Sequence, residues 1–182
     1  MQRDTEMPWN LGVRKGGLMN KKTMLSNLTD FKNAMHENRI PFIPIFGTLL
    51  GLEREGKLID WDSDVDVFCD SKYYMYMKSV IESLTEKGFT IPCQTVCPMH
   101  DTFLIRNNEK IEIWWFDKID DEYIYDTNVR YDKKFFELTE DLEFMGMNWI
   151  VPRDRKEFLK ITYGDDWMIP NPDKEYILGR NK

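Results

Sequence analysis

The hydrophobic positions of the chain change between helical and strand spacing, and their order predicts a mixed sheet packed by helices on one side. Helices are predicted over residues 23–38, 48–55, 71–88 and 152–164. Strands are predicted over residues 40–46, 64–69, 89–94, 102–106, 109–116, 123–125 and 129–131. Residues 1–22 are interpreted as an irregular arm, followed by a single α+β domain over residues 23–182.

Capping and turn residues divide these predicted elements. Thr48 and Ser71 are well placed to cap the second and third helices, because a hydroxyl accepts hydrogen bonds from the free N–H groups of a first turn. Pro152 is expected to open the last helix and Gly164 to end it. Turns are predicted at residues 106–109, 126–128 and 145–147.

The most informative stretch is an acidic strand that follows a Gly-Thr turn and a short predicted helix. Its alternation sends Val65 and Val67 toward a core, so that Asp64 and Asp66 share the opposite face at a separation of roughly 7 Å. Two carboxylates this close suppress each other's ionisation unless a cation neutralises them. The strand therefore predicts a divalent metal site.

Three other interpretations fit the acidic stretch less well. A solvated loop is the commonest context for alternating acids, but here the flanking residues are half apolar. A calcium loop starting at Asp62 would need Gly and Glu where the chain has Val67 and Tyr73, which excludes it. A sugar-nucleotide glycosyltransferase also uses paired aspartates for its metal, but it would not need the Gly-Thr turn.

That turn predicts a phosphate contact beside the metal. Backbone N–H groups at the start of a helix after Gly47 are a natural cradle for phosphate oxygens, and Thr48 can add its hydroxyl. A lone Gly-Thr pair is equally well a simple helix cap. Followed by paired carboxylates, it favours metal-assisted transfer of a phosphorus group.

A third carboxylate is expected on a neighbouring strand, to complete the metal ligands or to accept a proton. Glu112 lies in an otherwise apolar strand, where an acid costs stability unless it is paired or bound to a metal. A glutamate on the wet face of a sheet is the simpler alternative. Asp117, at the end of the same strand, is the competing candidate.

Composition narrows the class of partner. The 182 residues carry a formal charge of −7, which argues against binding to a nucleic-acid backbone. No stretch approaches the roughly 20 apolar residues of a membrane span, and the N-terminus lacks the apolar core of a signal peptide. Three cysteines in no recurring spacing favour reduced thiols. The expected compartment is the cytoplasm.

The chain resembles the LicD/fukutin-related family of the nucleotidyltransferase-fold superfamily, over about residues 25–170. The first and most specific block runs from Gly47-Thr48-Leu49-Leu50-Gly51 through Arg54 to Ile59-x-Trp61-Asp62-x-Asp64-Val65-Asp66. Two supporting blocks are Ile111-Glu112-Ile113 with Trp115-Phe116-Asp117, and Val151-Pro152 through Tyr163-Gly164-Asp165-Asp166-Trp167 to Pro170. Asp60, Ser63 and Glu112 depart from residues frequent in the family.

The resemblance implies a nucleotidyltransferase-like sheet and transfer of a substituted phosphate, of phosphocholine or polyol-phosphate type, from a CDP-linked donor to a glycan hydroxyl. It implies Mg²⁺ or Mn²⁺ held by Asp64, Asp66 and Glu112, with Asp62 and Trp61 in support. Gly47, Thr48 and Arg54 would contact the donor phosphate, the last through bidentate geometry.

Several assignments stay open on the sequence. Trp61, Trp114 and Trp115 could surround a choline-like cation, although packing is the commoner role of such residues. Charged residues of the predicted hairpin, Asp101, Arg106 and Lys110, could face the substrate or simply be exposed. The alternative activities are transfer of a nucleoside monophosphate to a small-molecule hydroxyl, and nucleotide binding without catalysis.

Overall fold

The computed structural model describes residues 18–91, 101–125 and 129–172. The arm predicted over residues 1–22 lies outside this range up to residue 17, and residues 21 and 22 already belong to the first helix. Cys93 and Cys97 also lie outside it, whereas Cys69 is a buried free thiol. Among the described residues, no helix combines the length and apolar character that a membrane span requires.

The helices and strands form an α+β fold, as predicted. The five helices are α1 (Lys21–Glu37), α2 (Phe46–Glu55), α3 (Met77–Glu86), α4 (Lys134–Glu137) and α5 (Arg155–Tyr163), with a 3₁₀ turn at Ser71–Tyr76 before α3. The eight strands are β1 (Ile43–Pro44), β2 (Asp64–Asp70), β3 (Thr102–Arg106), β4 (Glu109–Ile119), β5 (Glu122–Ile124), β6 (Arg130–Asp132), β7 (Thr139–Phe144) and β8 (Met147–Pro152). These counts refer to the described ranges.

One mixed sheet of six strands organises the molecule, in the order β1-β2-β4-β5-β6 with β3 on the other edge of β4. β2 and β4 are parallel, whereas the other pairs in the sheet are antiparallel. β4 is long enough to pair with β2 and β3 along its first part and with β5 at its end. β7 and β8 form a separate hairpin that turns at residues 145 and 146.

Register gives the β2–β4 pair two different faces. Val65 lies opposite Ile111, Val67 opposite Ile113 and Cys69 opposite Trp115, so that one face is apolar throughout. The other face carries polar residues at its first positions, then Phe68 and Trp114, and ends with Asp70 opposite Phe116, because side chains alternate along each strand. The apolar residues belong to one continuous core with the buried stripe of α1, which consists of Met24, Leu28, Phe31, Ala34 and Met35.

Several local expectations were wrong. Pro152 does not open the last helix, because it is the final residue of β8, and α5 begins at Arg155 with Asp154 as its N-cap. Thr48 does not cap α2, which begins two residues earlier with Ile45 at its N-cap and no side-chain cap. Ser71 does not cap α3 either, since the Asp70 carboxylate accepts from the N–H of Lys72 at 3.0 Å and begins the 3₁₀ turn. The first predicted strand shrinks to two residues, in keeping with its prolines.

Candidate active site

Three carboxylates meet on the polar face of the β2–β4 pair. Asp64 lies opposite Lys110 and Asp66 opposite Glu112 in the parallel register, which places all four side chains on one face. One oxygen atom from each of Asp64, Asp66 and Glu112 lies within 4.8 Å of the other two. The alternation in β2 supplies two of these acids, and the second strand supplies the third across the ladder.

Burial changes the charge of this acidic group. Asp66 is 5% exposed and Glu112 is 7% exposed. Burial, reinforced by the charges of Asp64 and Glu112, raises the pKa of Asp66 well above its ordinary value. Burial likewise raises the pKa of Glu112 to about 7, although the ammonium of Lys110 acts in the opposite direction. These two carboxyl groups therefore favour their protonated, neutral form unless a cation binds the group.

Lys110 already places one cation in the group. Its Nζ atom lies 2.7 Å from Oδ2 of Asp64 and 2.5 Å from Oε2 of Glu112. Burial alone would lower the pKa of Lys110, but the two carboxylates together raise it above the ordinary value. The lysine is therefore held as an ammonium between two of the three acids.

Asp66 is fixed by two contacts from different parts of the chain. Nε1 of Trp114 donates to Oδ1 of Asp66 at 2.9 Å. The backbone N–H of Asp66 donates to the hydroxyl oxygen of Thr48 at 2.8 Å, and Thr48 is only 1% exposed. This burial corrects the expectation that the Thr48 hydroxyl is open to a donor phosphate, because its structural role is to join α2 to β2.

The turn before α2 approaches the acidic strand closely. Phe46 adopts a positive φ of 48°, an uncommon conformation for a non-glycine residue, and Ile45 donates its N–H to the carbonyl of Asp66 at 3.2 Å. A Cβ atom on Gly47 would lie 2.3 Å from Oδ2 of Asp62. Any larger residue at this position would require the Asp62 carboxylate, which lies against the glycine backbone, to move.

Asp62 lies beside the group of three. Burial, and then the charge of Asp64, raises the pKa of Asp62 to about 7. Its Oδ1 accepts from the N–H of Ser63 at 2.9 Å. Asp62 thus adds a fourth acid next to Asp64 without belonging to the three whose oxygens lie within 4.8 Å of one another.

Two other predicted site residues, Arg54 and Trp61, contact each other rather than the three carboxylates. The Arg54 side chain is 5% exposed, and its Nη2 lies 2.6 Å from Oε1 of Glu55. Its guanidinium also lies 5.6 Å from the ring centroid of Trp61, which is 38% exposed. Since the guanidinium is buried and paired, the structure does not present it to a donor phosphate as expected.

Strand alternation explains where the competing acid, Asp117, and the two tryptophans of β4 lie relative to the group of three carboxylates. Asp117 lies near the end of β4, where it accepts from the Ser71 hydroxyl, and the acid in the group of three is Glu112. Trp114 and Trp115 are neighbours in a strand and point to opposite faces, with Trp115 donating to Thr102 at 2.9 Å. These two rings do not line one cage.

Among the hairpin charges, only Lys110 enters the acidic group. Arg106 instead binds Asn27 and Asp30 of α1, at 2.8 Å in each case. The charge of Asp101 raises the pKa of Glu112, and its Oδ2 accepts from the Tyr125 hydroxyl at 2.8 Å. Sequence reasoning missed the importance of Trp114 and Lys110, although both lie an even number of residues from Glu112 and so share its face.

The residues fit a divalent cation. Carboxylate oxygens are the ligands that Mg²⁺ and Mn²⁺ prefer, and three of them converge here in a partly buried place. Like charges this close are costly without a compensating cation. A mixed sheet that brings a strand Asp-x-Asp pair, a third acid and a helix start together is the arrangement expected of the predicted nucleotidyltransferase-like fold.

Comparison with known proteins agrees with this class. The family described as "LicD/FKTN/FKRP, nucleotidyltransferase domain" matches residues 39–154, and the chain belongs to this family. The match and the fold support a transferase of nucleotidyltransferase type. A search of curated proteins gave no match.

Solved structures share the fold at low sequence identity. The antibiotic-resistance factor ANT(2")-Ia, in complex with adenylyl-2"-tobramycin, is 14% identical with a TM-score of 0.53, over 71% of this chain and 69% of that one. The lincosamide antibiotic adenylyltransferase LnuA, bound to lincomycin, is 13% identical with a TM-score of 0.52, over 79% of this chain and 86% of that one. The predicted nucleotidyltransferase-like fold is confirmed.

Proposed function

We propose that the protein is a metal-dependent phosphotransferase that moves a substituted phosphate, of phosphocholine or polyol-phosphate type, from a CDP-linked donor to a glycan hydroxyl. The observation that carries this proposal is the convergence of Asp64, Asp66 and Glu112 on one face of two parallel strands, in a chain of the LicD family.

Asp64, Asp66 and Glu112 would hold Mg²⁺ or Mn²⁺. Such an ion, when bound, neutralises charge on the transferred phosphorus group and orients it. Thr48 and Trp114 keep Asp66 in place through its N–H and its Oδ1. The backbone N–H groups at the start of α2, next to Gly47, would bind the donor phosphate.

The acceptor hydroxyl must lose its proton as it attacks the phosphorus atom. Glu112 suits this task, because its carboxylate lies beside the other two acids and a positioned carboxylate can accept a proton from the attacking group. The bond that forms joins the acceptor oxygen to the phosphorus of the head-group phosphate, and the bond that breaks releases CMP. We therefore assign Glu112 both a ligand oxygen and the role of proton acceptor.

The likeness to antibiotic adenylyltransferases supports a second candidate, transfer of a nucleoside monophosphate to a small-molecule hydroxyl. The two activities need the same acids and differ in which phosphorus atom is attacked. The products separate them, since the first reaction releases CMP and the second releases pyrophosphate from a nucleoside triphosphate.

The test is a product screen by mass spectrometry, with CDP-choline, CDP-ribitol, CTP and ATP as donors and glycan or aminoglycoside acceptors. We expect an acceptor that gains phosphocholine or ribitol phosphate together with CMP release, and loss of that product in Asp64→Asn. Full activity in Asp64→Asn would contradict the assignment of the site. Nucleotidylated acceptors would favour the second candidate, and nucleotide binding without any product would favour the non-catalytic alternative.

A further inference from the structure

The place of Lys110 in the acidic group is unusual for a predicted metal site. Its Nζ atom is in direct contact with two of the three carboxylates, at 2.7 and 2.5 Å. Its side chain is 22% exposed, so the ammonium lies in the site rather than out in the solvent. The parallel register holds it there, since Lys110 is the partner of Asp64 and shares a face with Glu112.

The contact with Lys110 lowers the net negative charge of the three carboxylates. When ionised, Asp64, Asp66 and Glu112 carry three negative charges, and Lys110 returns one positive charge to this group of three, which leaves two. One divalent ion balances that remainder. Asp62 lies outside the group, and burial raises its pKa to about 7, which favours its neutral form. Two-metal phosphoryl-transfer sites place their ions about 3.5–4 Å apart and share carboxylates between them. A second ion sharing Asp64 and Glu112 would compete with the ammonium for the same two side chains.

We propose that Lys110 is a counter-cation built into the site, standing where a second metal ion would otherwise be needed, so that the protein binds a single divalent ion. This inference rests on the proposed metal-dependent function. The ammonium keeps Asp64 and Glu112 together before the ion arrives and lowers the charge that the ion meets. Lys110 is a positioning residue in this proposal, because it acts through the carboxylates.

Manganese binding tests the proposal without any donor or acceptor. Mn²⁺ titrations of the full chain, followed by electron paramagnetic resonance of the free ion, give the number of bound ions and the dissociation constant. We expect one ion for the wild type. In Lys110→Met the positive charge is gone, so Mn²⁺ should bind at least about ten-fold more tightly. Lys110→Arg retains the charge and should bind like the wild type.

Lys118→Met is the matched control, because Lys118 lies on the same strand, is 42% exposed and pairs with Glu137 outside the acidic group. Its Mn²⁺ binding should be unchanged. Circular dichroism establishes that each variant is folded before it is titrated.

The outcomes separate this inference from the function on which it rests. Unchanged or weaker Mn²⁺ binding in folded Lys110→Met would overturn the counter-cation role and leave only a structural salt bridge. Two ions bound to the wild type would overturn it as well. Absence of Mn²⁺ binding in the wild type and every variant would instead overturn the metal-dependent function itself.

Discussion

The two ends of one face of the β2–β4 pair differ sharply in chemistry. At the start of the strands this face carries Asp64, Asp66 and Glu112. Further along it carries Phe68, Phe116 and a single buried acid, Asp70, whose carboxylate accepts from the Tyr123 hydroxyl at 3.0 Å. At the aromatic end the Phe68 ring stacks on Phe136 with centroids 3.9 Å apart and lies 5.2 Å from Phe116. Apolar burial stabilises this end, whereas gathering like charges at the other end costs stability.

Trp114 lies at the boundary between the two ends. Its N–H donates to Asp66, while its ring lies 4.9 Å from Phe46 and 4.8 Å from Tyr125, measured between centroids. Packing of the aromatic residues thus orients a carboxylate of the acidic group. The aromatic end of the face, which stabilises the fold, thus positions a carboxylate of the acidic end, where like charges destabilise it. The following predictions test this difference between the two ends.

Phe116→Ala should have the largest effect on stability. Phe116 is fully buried, and truncation of such a phenylalanine lowers the free energy of unfolding by about 3–5 kcal/mol. Chemical denaturation followed by circular dichroism measures the change. A loss below about 1 kcal/mol would mean that the aromatic end does not carry the stability assigned to it.

Asp66→Asn, a change at the acidic end, should have opposite effects on stability and on transfer activity. The change removes one negative charge from the acidic group while keeping the shape of the side chain, so the melting temperature of the metal-free protein should stay equal or rise. Transfer activity should fall by at least about 100-fold, as is typical when one stabilising group of a transition state is lost. A clear loss of stability with retained activity would contradict the comparison.

Thr48→Val should affect both properties to a moderate degree. It leaves the buried N–H of Asp66 without its acceptor, which costs about 1–3 kcal/mol in the free energy of unfolding. The freed Asp66 should also weaken Mn²⁺ binding in a titration. Thr48→Ser keeps the hydroxyl and is the control, so equal losses in both variants would show that the methyl group matters instead.

The smallest expected effect is a pH dependence of the metal-free protein. The folded-state pKa of Asp62 and that of Glu112, each about 7, exceed their ordinary values of 3.8 and 4.5. The folded state therefore binds protons more tightly than the unfolded state, and this stabilisation is present at low pH and lost as pH rises through about 7.

Thermal unfolding in a chelator should show a melting temperature that falls across the window between pH 4.5 and 7.5, as these values require. Added Mg²⁺ should restore stability most at the upper end of the window, where the carboxylates are ionised. Asp66→Asn should flatten the slope. A melting temperature that rises through the same window would contradict the assigned pKa shifts.

The elements that the sequence predicts well are those with long, regular patterns. α1, α5, β2 and the first part of β4 follow directly from their apolar spacing. Glu112, singled out by its apolar flanks, lies with Asp64 and Asp66 in the structure. α4 spans only four residues, too few to show a helical period, and was not predicted. β1 keeps only two residues of its predicted seven, because prolines remove backbone donors.

The contacts of the site were harder to predict than its residues. The alternation of β2 places Asp64 and Asp66 on one face, but the partner strand and its register are decided by tertiary pairing. For that reason Lys110 was expected only as a hairpin charge, and the hydroxyl of Thr48 was assigned to a phosphate rather than to the N–H of Asp66. Cross-strand contacts depend on register, which no local pattern specifies.

The parallel pairing of β2 and β4 also has a consequence for how the molecule folds. Trp114 and Asp66 are 48 residues apart in the chain, so their contact requires closure of a long loop. Non-local pairings of this kind have a high contact order and form more slowly than local turns and helices. Neither β2 with its neighbouring helices nor the β3–β4 hairpin contains all three acids on its own. The group of three acids is therefore assembled only when this parallel ladder closes, and a partly folded chain lacks it.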